Sequence, residues 1–322
     1  MKIFKSSNSR KTYSGKPTFL SLVKKDMKRN YGAYLLVLPV ILYYLIFAYK
    51  PMYGAIIAFK DFSPGKGILA SQWADNFGLK HFIDFFNSYF FCRTLKNTLV
   101  ISLSSLLFSF PAPIILALLL NEVKNKFFKQ TVQTISYMPH FISLVVVCSL
   151  IKLFTSDMGI VTYFLSMFGY HSGSMLAKPG LFVPIYVISG IWQHVGWDSI
   201  IYLAALSGID QSLYEAAKID GANRWKQMLH ITLPGISITI VILFILAIGG
   251  IMNVGYEKII LLYNPGIYET SDVISSFVYR KGLLESNWSF SAAVGLFNSV
   301  INFFMVVLFN KLSKKISGIS LW

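Results

Sequence analysis

Residues 214–234 read YEAAKIDGANRWKQMLHITLP, a charged interval set between two long apolar runs. Asp210 stands where a helix N-cap is expected, and Leu213, Ala216 and Ala217 recur at helical spacing behind it. Gly221 can stop that helix without the steric penalty of a Cβ. A second short helix is expected to follow, with Trp225, Met228 and Leu229 at i, i+3 and i+4 forming its apolar face. Pro234 lacks an amide proton and suits the first turn of the next helix. The spacing thus predicts two short helices meeting at a glycine, with Ala216 and Ala217 leaving room for a close neighbour. Lipid would waste such a hook, so it is expected in water against another protein.

The rest of the chain belongs in a bilayer. Hydrophobic residues make up 55% of the 322, charged residues 13%, and the mean hydropathy is +0.58. Soluble domains average about 25% charged residues. Crossing the hydrocarbon takes about 20 apolar residues, and six runs qualify, near 31–48, 95–120, 135–154, 182–201, 235–252 and 290–308. The first is too long and too far in for a signal peptide and lacks a small-residue cleavage site. Pro111 and Pro113 interrupt the second run and Pro139 the third, where they can either shape a helix or hinge it.

Nine Lys and Arg precede Tyr31, and three more lie in each of 121–130, 214–234 and the stretch after Leu308. The positive-inside rule then places both termini and the hook in the cytoplasm. The net charge of +15 is mostly inner-face charge, with no stacking aromatics on a soluble domain to make a nucleic-acid site. The expected layout is a basic cytoplasmic tail at 1–30, an all-α domain of six transmembrane helices at 31–312 with the hook at 207–234, and a cytoplasmic tail at 313–322. Residues 52–93, with Trp73, Phe77, Phe82, Phe85 and Phe86, are expected to form a structured outer cap. Tyr49-Lys50-Pro51 is expected to close the first helix. Cys92 and Cys148 form no framework and are expected to be packing residues.

Glu215-Ala216-Ala217, three residues, Gly221, nine residues, then Ile231-x-Leu233-Pro234 resembles the EAA loop of binding-protein-dependent ABC importers, with every position of E-A-A-x3-G-x9-I-x-L-P filled. The resemblance extends from about Lys25 onward and is strongest from 190 to 315. It points to the permease subunit of carbohydrate importers of the maltose-type class, as found in Gram-positive bacteria that take up oligosaccharides from complex polysaccharides. It implies a type I importer fold in the plasma membrane, in which Tyr214, Glu215, Ala216, Ala217, Asp220, Gly221, Arg224 and Pro234 form a coupling helix seated on a separate ATPase. It also implies a second homologous permease, two ATPase subunits carrying ATP and Mg, and an external solute-binding lipoprotein. Gly78-Leu79-Lys80-His81-Phe82 is similar to a pattern in the family's outer segments.

The run Gly190-Ile191-Trp192-Gln193-His194-Val195-Gly196-Trp197-Asp198 is the least lipid-like of the spans. Polar groups at membrane depth are costly unless they face a cavity or each other. Aromatic rings offer flat faces to the CH side of a sugar, and amides and carboxylates bond its hydroxyls. Gln193, His194, Trp197 and Asp198, with Asn253 and Tyr256 after the fifth span, are therefore candidates to line an oligosaccharide path. Interhelical glue and, for Asp198 with His194, a proton relay fit the same residues.

No G-x-x-x-x-G-K-[ST] loop occurs, so the chain cannot be its own ATPase, and it is expected to bind no cofactor. Neither H-E-x-x-H, C-x-x-C nor a nucleophile elbow is present, and the five histidines are scattered, which argues against an enzyme. A permease for a non-sugar solute and an ion-coupled secondary transporter are the competing functions, the latter needing Asp198 as its translocation carboxylate.

Overall fold

The computed structural model describes residues 19–169 and 173–322, so most of the expected basic tail lies outside it. The chain forms two units, Met1–Ala55 and Ile56–Trp322. In the first, Phe19–Arg29 is an amphipathic helix with Lys28 and Arg29 in its last turn. It ends at Asn30, where Asp26 accepts hydrogen bonds from Asn30 Nδ2 at 2.8 Å and Tyr34 Oη at 2.7 Å. Tyr31–Tyr44 follows and continues through a π-helical turn, Leu45–Tyr49, into Lys50–Met52. Tyr49-Lys50-Pro51 therefore does not close the helix. Pro51 sits in a first turn, where its missing amide costs nothing.

The second unit is a helical bundle under a small cap. In the cap, Lys60–Asp61 pairs antiparallel with Gln72–Trp73, and Lys80–Phe86 packs behind them. Phe85 is 1% exposed and joins Ile274, Phe277 and Val294 in a core shared with the last helix. The cap is structured, as its aromatics predicted. Cys148 is buried in a second core with Ile101, Phe182 and Ile259, whereas Cys92 is exposed and does not pack.

Among the described residues, Tyr31–Phe59, Phe90–Glu122 and Trp288–Ser317 are long and apolar enough to cross a membrane. Two bent pairs bring that number to five, Lys126–Phe141 with Leu144–Phe154 (102°) and Arg224–Gly235 with Ser237–Gly249 (60°). The third expected span is thus broken rather than kinked. After Pro139 the chain turns sharply, and Ser143 caps a new helix by accepting from the Val146 amide at 3.4 Å. Pro111 only starts a fresh helical stretch, and Phe90–Glu122 still counts as one span.

The remaining expected span is Pro179–Ser207, long enough at 29 residues but more polar than those five. It is the central element, packed against Pro111–Glu122, Phe90–Ser109 and Lys126–Tyr137. Gly196 permits the last of these contacts, since a Cβ there would collide with the backbone carbonyl of Ser136. Backbone cannot yield as a side-chain tip can. Gly196→Val is expected to lower the thermal midpoint of the purified protein, at a cost of about 1–3 kcal/mol or more. An unchanged midpoint would show that the crossing is looser than the geometry implies. The last helix extends to Ser317, where Gly318 takes φ +71° and the Leu321 amide donates back to Asn310 Oδ1 at 2.7 Å.

Candidate functional site: an exposed hook and a polar cavity

The hook has the predicted form. Asp210 accepts from the Ser212 amide at 2.9 Å and caps Gln211–Ile219. That bond holds its carboxyl below the usual carboxylate range. Gly221 takes φ +75°, the left-handed stop, and the Ala222 amide donates back to the Ala217 carbonyl at 2.8 Å. Asn223 caps Arg224–Gln227 through the Lys226 amide at 2.9 Å. A π-helical turn, Met228–Thr232, leads to Leu233–Gly235, which carries Pro234 in its first turn.

Two cross-links fix the angle of the hook. Tyr214 Oη lies 2.9 Å from Thr232 Oγ1, and Gln227 Nε2 donates to the Ala222 carbonyl at 2.8 Å. Arg224 adds an exposed ion pair to Glu122 at 3.7 Å, worth at most about 1 kcal/mol. What the hook does not do is bury itself. Leu213, Ile219, Trp225 and Leu229 are 52%, 87%, 71% and 53% exposed. A patch of this kind on a rigid, capped pair of helices marks an interaction surface.

The polar residues of the membrane region fall into three groups. Asp198 and Asn253 come together in a cavity of about 320 Å³ that also presents Ser102, Ser105, Ser109 and Tyr186. Its wall includes Gly250, Ile251, Asn253, Val254 and Gly255, from a stretch that is not helical. That opened strand is held by the last helix. Asn298 and Asn302 donate to Asn253 Oδ1 at 2.8 and 3.1 Å, and Asn302 Oδ1 accepts from the Met252 amide at 3.0 Å. Asn253 is thus both a cavity residue and a structural anchor.

His194 and Trp197 form a second group with His140. The His140 ring stacks on Trp197 at 4.5 Å and 2°, and its Nδ1 lies 3.2 Å from Nδ1 of His194. Gln193 stands apart, 4% exposed, with Oε1 unpaired. Tyr256 belongs to a third group, stacked with Tyr279 at 5.9 Å and 27°.

Sequence reasoning missed several members. Lys258 is 7% exposed, donates to the Tyr186 carbonyl at 3.1 Å and sits 4.7 Å over the Tyr186 ring, with no carboxylate partner among the described residues. A lysine inside the apolar run 258–262 was the available signal. Asn298 and Asn302, at i and i+4 in a span, were another. Nothing local pointed to Asp272, which is 0% exposed and held by Arg280 and Arg93.

An exposed hook and a polar cavity walled by an opened helix are the features of a membrane permease. The chain belongs to the family of binding-protein-dependent transport system inner membrane components, whose model matches residues 109–318. It is a transport subunit and not an enzyme. It is 46% identical to the polygalacturonan/rhamnogalacturonan transport system permease protein YteP of Bacillus subtilis, over 91% of both chains. It is 43% identical to Protein LplB of the same organism, over 90% of both chains. Among solved structures it is similar to a chain of a bacterial ABC transporter involved in import of the acidic polysaccharide alginate, with TM-score 0.83, 45% identity, and 92% and 99% of the two chains covered. A second structure of a bacterial alginate ABC transporter, in complex with an alginate pentasaccharide-bound periplasmic protein, gives TM-score 0.84 and 44% identity, with 92% and 99% covered. The type I importer permease fold expected from the sequence is therefore the fold of this chain.

Proposed function

We propose that this chain forms half of the path of an ATP-driven importer for oligosaccharides cut from acidic polysaccharides, working by alternating access. The observation that carries the reading is an exposed, doubly capped hook at 211–235 in the same chain as a cavity of serine, tyrosine, asparagine and aspartate side chains. The relatives' names support a uronate-containing substrate. So does Lys258, a buried ammonium bonded to the backbone carbonyl of the cavity residue Tyr186 and lacking a carboxylate partner among the described residues. Asp198 and Asn253 are the proposed hydroxyl-binding groups of the first cavity, with Gln193, His194, Trp197 and Tyr256 along the route.

The proposed partners are a second homologous permease, two ATPase subunits on Tyr214, Glu215, Ala216, Ala217, Asp220, Gly221, Arg224 and Pro234, and an external binding protein. ATP and Mg stay on the ATPase subunits. Both termini lie in the cytoplasm. The cap offers the binding protein Phe77, which is 105% exposed and held at φ +57° between Asn76 at φ +56° and Gly78 at φ +82°. A non-glycine residue kept in that conformation costs about 1–2 kcal/mol, a strain usually retained for contact or function.

Proteoliposomes holding the assembled complex are expected to take up oligogalacturonides only with ATP inside and binding protein outside. Lys258→Met is expected to cut uptake of the charged oligomers about tenfold while sparing neutral ones, the effect of one lost charge-assisted bond. Uptake by this chain alone, abolished by an uncoupler and indifferent to ATP, would instead favour the ion-coupled reading. Uptake of another solute class only would overturn the sugar.

A further inference from the structure

Phe19–Arg29 reads FLSLVKKDMKR and stops one residue short of the first span, Tyr31–Phe59. At about 1.5 Å per helical residue, Lys24, Lys25, Lys28 and Arg29 all lie within about 10 Å of where the hydrocarbon begins. That is the depth of the phospholipid headgroups and of the field just outside them. The helix has two sides. Leu20, Val23 and Met27 stand at i, i+3 and i+7, and the four cations occupy the arc away from them. All four cations are exposed, and none has an ion pair among the described residues. Met27 is 50% exposed, a large apolar side chain left uncovered at the same level.

The one acid of the helix is already engaged. Asp26 Oδ1 accepts from Asn30 Nδ2 at 2.8 Å and Oδ2 from Tyr34 Oη at 2.7 Å. Those bonds tie the helix to the span across the break at Asn30, which keeps the cations near the interface. No residue of Tyr31–Tyr44 is buried, so this end of the span takes no hold from packing within the chain. An acidic protein surface would satisfy the cations and leave Val23 and Met27 uncovered. A zwitterionic bilayer would cover the apolar side and offer the cations no net charge. An acidic phospholipid layer meets both demands.

We propose that Phe19–Arg29 is a membrane-surface helix that binds acidic phospholipid headgroups of the inner leaflet through Lys24, Lys25, Lys28 and Arg29. Val23 and Met27 sit among the uppermost acyl carbons, and the contact pins the inner end of the first span. The inference rests on the inward placement of the termini proposed above. The test uses the whole complex with a nitroxide on Met27→Cys. Cys92, the exposed native thiol, is changed to serine, and the buried Cys148 is left in place. Vesicles of phosphatidylcholine alone are compared with vesicles rich in phosphatidylglycerol. Collisions of the label with oxygen, which concentrates in lipid, are measured beside collisions with a water-borne nickel chelate. Oxygen is expected to dominate in the acidic vesicles and the chelate in phosphatidylcholine. Each cation at an acidic surface is worth about fivefold in the ratio of docked to free helix, so Lys25→Gln with Lys28→Gln is expected to lower that ratio about twentyfold. Lys25→Arg with Lys28→Arg is expected to preserve it, which separates lost charge from lost helix. Salt at about 1 M, where the Debye length is about 3 Å, is expected to release the wild-type helix. A label equally lipid-exposed in both vesicles, or equally wet in both, overturns the proposal. So does protection that requires the ATPase subunits and ignores lipid charge, which would make the helix a protein contact. In phosphatidylcholine, a label reached only by chelate on the binding protein's side overturns the inward placement of the termini instead.

Discussion

Gly221→Pro is expected to abolish ATP-driven uptake while leaving the chain in the membrane. Gly221 takes φ +75°, and proline is fixed near −65°. The substitution also deletes the amide that donates to the Lys218 carbonyl at 3.1 Å. The helix could then no longer stop there, and the angle between Gln211–Ile219 and Arg224–Gln227 would change. A cost of about 3 kcal/mol corresponds to roughly a hundredfold fewer hooks in the docking shape. Glu215→Lys provides a second route to the same loss. Glu215 is exposed and makes no ion pair among the described residues, so reversing its charge disturbs a partner and not the fold. ATPase activity stimulated by the binding protein, measured beside the amount of chain in the membrane fraction, decides the matter. Stimulated turnover at the wild-type level in both variants would remove the hook from the coupling mechanism.

The second large effect concerns folding. Asp272 is fully buried and accepts two bonds from Arg280, at 2.8 and 2.6 Å, one from Arg93 at 3.4 Å and one from Ser276 at 2.8 Å. Asn97 donates at 2.9 Å to the carbonyls of both Glu269 and Asp272, tying the same segment to Phe90–Ser109. Asp272→Ala would leave two guanidinium groups facing each other with no anion between them. Breaking a buried pair from one side costs about 3–5 kcal/mol, more than the pair contributes over an apolar replacement. A large fall in the melting temperature of the detergent-purified complex is expected. Asp272→Leu combined with Arg280→Met is expected to recover part of it, because the Arg280 charge is gone while Arg93, 24% exposed, is left with solvent alone. A melting curve for Asp272→Ala that overlays the wild type would show the network to be idle.

The hook was legible because its signals are local. A cap, a glycine with positive φ and an i, i+3, i+4 apolar face lie within 210–234, and tertiary context changed none of them. The cavity was only half legible. Asp198 and Asn253 were recognisable as polar groups in apolar runs, and they do share a wall. Gln193 and His194 carried the same signal but point to different neighbours, since adjacent helical positions are about 100° apart and sequence alone does not fix the rotation of a helix. Pro139 was visible as an interruption, but the 102° break was not. Its size depends on Ser143 restarting the helix two residues after Phe141. The Asp272 network joins residues 179 positions apart, a distance no periodicity spans.

The polarity of Pro179–Ser207 also bears on how the protein is made. An aspartate near the middle of a span adds about 2.5–3.5 kcal/mol to its insertion into lipid, and Gln193 and His194 in the same helix raise the cost. Released singly from the ribosome's exit channel, this segment would partition poorly. Three of the stretches that cover it, Phe90–Ser109, Pro111–Glu122 and Lys126–Tyr137, are synthesised before it, and Tyr268–Ser271 follows. Biogenesis can therefore proceed by retention, with the earlier helices waiting beside the translocon until the polar one arrives and leaving with it as a group.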